Sequence, residues 1–186
     1  MPPKVKITKE DIINAAVDIV RKEGAQAINA RTLASYLNCS TQPVFSNFAV
    51  MSELRLAVVQ KADELYNQYI KREIESEKFP PYKASGMAYI RFASEEKELF
   101  KLLFMRDRTD ESYIKQIQFT DGMDTLLQKN TGLDSDTAKL FHFEMWAYVH
   151  GIATMLATNF LTLDFELVSR MLSDAYLGMR KQYELE

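Results

Sequence analysis

Between Asn29 and Phe48 the sequence places Arg31, Thr32, Ser40, Thr41, Gln42, Ser46 and Asn47 close together. These are groups that read hydrogen-bonding surfaces by donating and accepting. The chain carries no Gly-rich phosphate loop, no Ser/His/Asp or Cys/His pairing and no acidic metal cluster, so the sequence does not point to an enzyme. Glu95, Glu96 and Glu98 form a charge run of the kind that lines a solvated helix face. His142 and His150 are spaced to lie on neighbouring parts of one helix face, but the nearby carboxylate, Glu144, falls on another. They are expected to be hydrogen-bonded histidines rather than metal ligands, and no metal is expected. The single cysteine, Cys39, excludes an internal disulfide and a cysteine zinc site, and it reads as a turn-packing residue.

The elements that must position the polar run follow from periodicity and caps. Thr8 and Asp11 make a capping box, the apolar positions Ile12, Ala15, Ala16, Ile19 and Val20 recur at helical spacing, and Gly24 stops the helix. A second short helix starts at Asn29 or Ala30 and turns inward Leu33, Ala34 and Leu37; Asn38 suits the left-handed residue that closes it. Ser40 or Thr41 then caps a third helix, Gln42 to Phe48, with Pro43 tolerated in its first turn. A bracing helix, a turn and a short polar reader set between buried Val44 and Phe48 is the layout of a helix-turn-helix.

Ser52 caps a long connecting helix, 52–75, and Pro80 and Pro81 end the charged run that follows it. Further helices are expected at about Tyr82 to Ala93, Glu95 to Phe104, Asp110 to Asn130, Ser135 to Asn159 and Phe165 to Glu184, with breaks at Ser94, Arg106 to Thr109, Asn130-Thr131-Gly132 and Thr162 to Asp164. No strand pattern is present. The expected fold is all-α with about nine helices, a head at 1–50 and a helical-bundle body at 51–186.

Hydrophobic residues make up 47% of the chain and charged residues 26%, the balance of a soluble helical protein. The N-terminus lacks the apolar core of a signal peptide, and no stretch is long and apolar enough to span a bilayer, so a cytoplasmic protein without a membrane partner is expected. The net charge of −3 divides unevenly: residues 1–50 carry Lys4, Lys6, Lys9, Arg21, Lys22 and Arg31 against Glu10, Asp11, Asp18 and Glu23, a balance of +2, which leaves −5 on the remainder. A mildly basic head on an acidic body agrees with a nucleic-acid partner for the head.

From Thr8 to about Val59 the chain resembles the DNA-binding domain of the TetR family. The resemblance rests on Ile12, Ala15, Ala16, Gly24, Arg31, Leu33, Ala34, Leu37, Ser40, Phe45, Phe48 and Leu54 at the family's spacing, and on Gln-Pro-Val-Phe-Ser-Asn-Phe as a version of its recognition helix. It implies that Arg31, Thr41 and Gln42, with Ser40 beside them, read base edges of double-stranded DNA, and that Pro43 touches a thymine methyl. Thr32, Ser46 and Asn47 would contact phosphates, with Lys4 and Lys6 forming a basic arm. The chain departs from the family at Phe45, where Tyr is usual, and at Met51, where a phosphate-binding Lys is usual. Each departure removes one phosphate contact; Ser52 and the N–H groups of that helix start are expected to compensate in part.

The segments 89–105 and 144–159 resemble the C-terminal domain of a TetR subgroup marked by Trp146, His150 and Gly151. This implies a body that binds a small-molecule effector and dimerises. Candidate effector contacts are Tyr89, Phe92, Phe100, Phe104, Met105, Phe119, Met123, Trp146 and His150. No cofactor is expected beyond that unidentified effector. The last two helices carry more apolar surface than one chain needs, so Tyr148, Ile152, Leu156, Val168, Met171, Leu172, Ala175 and Met179 are expected to form a two-fold dimer seam. The implied function is a dimeric repressor that its effector releases from an operator; an activator or a partner-controlled regulator would use the same head.

Overall fold

The computed structural model describes residues 7–106 and 123–183, and the side chains of 7–106 and 125–183. Among the described residues there are nine α-helices and no strand: α1 (Lys9–Glu23), α2 (Ala30–Tyr36), α3 (Gln42–Asn47), α4 (Met51–Glu75), α5 (Pro81–Glu95), α6 (Lys97–Phe104), α7 (Met123–Thr131), α8 (Ser135–Ala157) and α9 (Phe165–Gln182). The all-α reading therefore holds. The chain forms two compact units: Met1–Asn67 with Glu96–Arg106, and Gln68–Glu95 with Asp107–Glu186.

In the first unit, α1 starts at the capping box read from the sequence: the Asp11 N–H donates to Thr8 Oγ1 at 3.1 Å and the Thr8 N–H donates to Asp11 Oδ2 at 2.8 Å. These bonds, backbone first, hold the Asp11 carboxyl below its ordinary pKa. Gly24 ends the helix at φ +83°, a conformation that favours glycine; a Cβ there would meet only the movable amide end of Gln26, so the backbone angle is what calls for glycine. Asn29 caps α2 by accepting from the N–H groups of Arg31 and Thr32. Asn38 takes the left-handed conformation at φ 50°, as its side chain permits. Ile12, Ala16, Val20, Leu33, Val44, Phe48, Leu54 and Val58 are buried.

Helix α6 belongs to this first unit. Its Leu99, Phe100 and Leu103 form one buried stripe, and it packs on α1. At its start the Arg21 guanidinium of α1 grips Glu96 in bidentate fashion, Nε and Nη2 donating at 2.8 and 2.7 Å.

The second unit is built round α5, whose Ala84, Met87, Ala88, Tyr89, Ile90, Phe92 and Ala93 are buried over much of its circumference. It packs against α7, α8 and α9. At Gly86 a Cβ would stand 3.4 Å from Leu172 and 3.5 Å from Val149, ordinary van der Waals distances, so α8 and α9 lie against this face of α5 at normal packing distance. The buried Glu73 carboxylate accepts from Arg91 Nε at 3.3 Å, and the Arg91 guanidinium lies 4.2 Å over the Phe165 ring. Asp134 and Asp164 cap α8 and α9.

Two local expectations are corrected, and a third lies largely outside the described residues. Ser94 lies inside α5, and the break falls at Glu96. Thr41 is the N-cap of α3 without a side-chain bond, because its backbone is already α-helical (φ −72°, ψ −13°), and Ser40 makes none either. Of the helix expected from Asp110 to Asn130, only the part from Met123 lies within the described residues.

Candidate nucleic-acid interface and effector site

Helix α3 is held from within and open outside. Val44 and Phe48 anchor it in the core, while Gln42, Phe45 and Ser46 are exposed on its outer face; Thr41, Pro43 and Asn47 are half-buried at its flanks. Arg31 and Ser40 are also exposed. Among the described residues, the side chains of Arg31, Ser40, Thr41, Gln42 and Ser46 make no hydrogen bond or ion pair. Their donors and acceptors face water or a partner. The acceptors and donors of a base edge would satisfy the same groups.

Two of the residues assigned to phosphates have internal duties. The Thr32 hydroxyl donates to the Ala27 carbonyl at 2.7 Å and accepts from the Asn29 N–H at 3.2 Å, completing the α2 capping box. It is a structural cap, and its one hydroxyl proton is committed. Asn47 donates one amide hydrogen back to Pro43 O at 2.8 Å, which leaves the other hydrogen of Nδ2 for a phosphate.

The start of α4 departs from expectation as well. Glu53 Oε2 accepts from the Ala49 N–H at 3.1 Å, and Glu53 Oε1 stands 3.5 Å from Lys9 Nζ. The helix start already holds its own anion, so its N–H groups are less available to a phosphate than the sequence suggests. The same geometry brings in two exposed cations given no role in the sequence reading: Lys9, whose Nζ lies 4.8 Å over the Phe48 ring, and Arg55, which donates to Ile28 O at 3.4 Å. No local motif marks either; they are found only once the helices are packed. Lys4 and Lys6 lie outside the described residues.

In the second unit Tyr89, Trp146 and His150 come together. The Tyr89 hydroxyl and His150 Nδ1 are 2.8 Å apart, and the Trp146 and His150 rings stack at 4.8 Å and 13°. Burial lowers the His150 pKa from its ordinary value, favouring the neutral ring. His142 is bonded to a different tyrosine, Tyr82, at 3.2 Å, so the two histidines do not converge. Among the described residues no three His, Cys, Asp or Glu side chains are grouped to hold a metal.

The expected effector contacts are shared between the two units. Phe92 is fully buried and packs edge-on to Tyr69 at 5.3 Å. Phe100, Phe104 and Met105 belong to the first unit, where Phe100 is core, Phe104 meets Tyr66 edge-on at 5.3 Å and Met105 is exposed. Their helical spacing signals a buried stripe and cannot say which helix covers it. Phe119 and the Met123 side chain lie outside the described residues.

The expected seam divides likewise. Ile152, Leu156, Val168 and Leu172 are buried within the single chain, packed as its own core, and cannot also form an exposed seam. Tyr148 is exposed, and Met171, Ala175 and Met179 are half-buried. On α8 and α9 the other large apolar side chains left outside are Leu140 (52% exposed), Phe143 (54%), Leu167 (43%) and Leu177 (52%), and Phe160 and Leu161 are exposed between the two helices.

Comparison with known proteins agrees with this architecture. Residues 82–175 match the family described as Tetracyclin repressor-like, C-terminal domain. A TetR-like transcriptional regulator from Rhodococcus sp. RHA1 is similar in structure with a TM-score of 0.71 and 12% identity, over 98% of each chain. The multidrug binding protein EbrR complexed with malachite green is similar with a TM-score of 0.62 and 18% identity, over 93% of this chain and 98% of that one. EbrR complexed with ethidium gives 0.56 and 18%, over 90% and 97%. No curated protein matches the chain significantly. The family match spans half of the sequence, and with it the chain belongs to the TetR family of regulators.

Proposed function

We propose that this protein is a cytoplasmic, homodimeric transcriptional repressor: the head, residues 1–50, places α3 in the major groove of an operator, and the body, 51–186, binds a small-molecule effector that releases it. The observation that carries the reading is the outer face of α3, where Gln42 and Ser46 stand exposed without internal partners while Val44 and Phe48 fix the helix from behind. Arg31 and Gln42 read base edges; Ser46 and the second amide hydrogen of Asn47 hold phosphates. Family membership supports a regulator rather than an enzyme. The ligand-bound EbrR structures support an effector site in the body, for which Tyr89, Trp146 and His150 are the contacts best grouped here. Exposed Leu140, Phe143, Tyr148, Leu167 and Leu177 support a dimer seam on α8 and α9. Among the described residues no helix is long and apolar enough to cross a membrane.

Fluorescence anisotropy on DNA from the region upstream of its own gene, across salt concentrations and against a scrambled duplex, tests the reading. Sequence-dependent binding that weakens when an effector is added is the expected result. Equal, weak binding to both duplexes would remove the operator from the proposal. The same binding enhanced by a ligand would favour an activator.

A further inference from the structure

Phe45 is 57% exposed in the middle of α3. Single exposed apolar residues are ordinary, so exposure alone decides nothing. Its place decides more. Phe45 shares the outer face of a six-residue helix with Gln42 and Ser46, and its neighbours Val44 and Phe48 are buried. One residue is a rotation of about 100° on a helix, so with Val44 held inside, Phe45 is carried round toward the outer face, where it stands exposed. A phenyl ring offers neither donor nor acceptor, so it cannot bond a phosphate oxygen or the polar edge of a base. The apolar group that DNA displays in the major groove is the C5 methyl of thymine.

We propose that Phe45 is a specificity-determining residue that packs on the C5 methyl of a thymine in each operator half-site. This rests on the reading of α3 as the groove-binding element and adds a base identity to it. It also moves thymine reading away from Pro43, which is half-buried in the first turn, to a side chain that projects from the helix. Gln42 lies three residues earlier on the same surface, so its adenine and the thymine under Phe45 fall on adjacent or nearby base pairs. The half-site is therefore A·T-rich where the centre of α3 meets it.

The test uses the full-length protein and a duplex that it enriches from a randomised pool. Each thymine is replaced in turn by deoxyuridine, which removes only the methyl group. The expected result is one thymine per half-site whose replacement weakens wild-type binding by roughly threefold to fivefold, with no such loss for Phe45→Ala. Phe45→Leu, which keeps apolar surface, retains the sensitivity and serves if the alanine variant binds too weakly to measure; helical circular dichroism checks that both variants fold. A flat uridine scan for the wild type, or a sensitivity that persists in Phe45→Ala, overturns the inference while leaving the operator reading intact. If no sequence is enriched from the pool, the groove-binding reading fails and this inference fails with it.

Discussion

His150 lies beside Tyr89, whose hydroxyl is 2.8 Å from Nδ1, and under the indole of Trp146, stacked at 4.8 Å. Burial lowers its pKa, so the folded chain takes up its proton at a lower pH than the unfolded chain does. Below the ordinary histidine value, about 6.5, the unfolded state then binds more protons, and stability falls as pH falls; well above that value both states are neutral and the contribution is complete. Thermal midpoints measured from pH 7.5 to 5.5 are expected to drop, and His150→Gln is expected to drop less over the same window. An equal slope in both proteins would assign the acid sensitivity elsewhere. Residue type made this histidine visible as a hydrogen-bonded group, but it could not name Tyr89 as the partner. Thr32 shows the same limit: its hydroxyl suits a phosphate, and only the fold shows the proton committed to Ala27. The Thr8–Asp11 capping box is legible because both partners lie within three residues; the Asn29–Thr32 box is as local but hidden, because the same hydroxyl also suits a phosphate. Partners distant in sequence, such as Tyr89 for His150, are not legible.

At the scale of elements, α6 is the instructive case. Its periodicity, with Leu99, Phe100 and Leu103 on one stripe, announces a buried face; the face is covered by α1, and α6 joins the first unit. A hydrophobic period gives a helix its inside and cannot tell which neighbour supplies it. Two substitutions separate the forces that hold it. Phe100→Ala empties a fully buried site, costs about 3–5 kcal/mol, and should lower the melting midpoint by roughly 6–20 °C. Glu96→Gln keeps the shape and removes the charge that Arg21 grips; a partly exposed pair of this kind is worth about 1 kcal/mol. Comparable losses from the two would mean that the ion pair, rather than apolar burial, docks α6. The start of α4 offers a second test at this scale. Met51→Lys restores a cation at the position the family uses for phosphate, and should steepen the slope of log K against log salt by about 0.9 per head, or about 1.8 for a dimer on its operator. An unchanged slope would show that Glu53, already at that helix start, neutralises the added charge.

For the molecule as a whole, the apolar surface that remains outside matters more than the surface inside. Burying Ile152, Leu156, Val168 and Leu172 in the chain's own core leaves α8 and α9 with Leu140, Phe143, Tyr148, Leu167 and Leu177 in water. On α8, positions 140, 143, 147 and 151 follow the three- and four-residue spacing of one face, and Gly151 has no neighbour within 4 Å of where a Cβ would stand. On α9, positions 167, 170, 174 and 177 share one face, with the Arg170–Asp174 ion pair (3.7 Å) between the exposed Leu167 and Leu177, and Gly178 beside it is equally open. A second copy with the same two stripes can bury them about a two-fold axis, an interface in which each patch meets its own counterpart. Each replacement then acts twice. Phe143→Glu places two carboxylates in the seam, and sedimentation velocity should find the wild type dimeric and the variant monomeric at micromolar concentration. Because Phe143 is exposed in the single chain, the variant should keep its helical circular dichroism. A monomer contacts one half-site at a time, so the variant should also lose most of its operator affinity while α3 is untouched. If Phe143→Glu stays dimeric, the seam lies on another face; if the wild type is itself monomeric, the exposed stripes serve a different partner and the paired-head geometry fails.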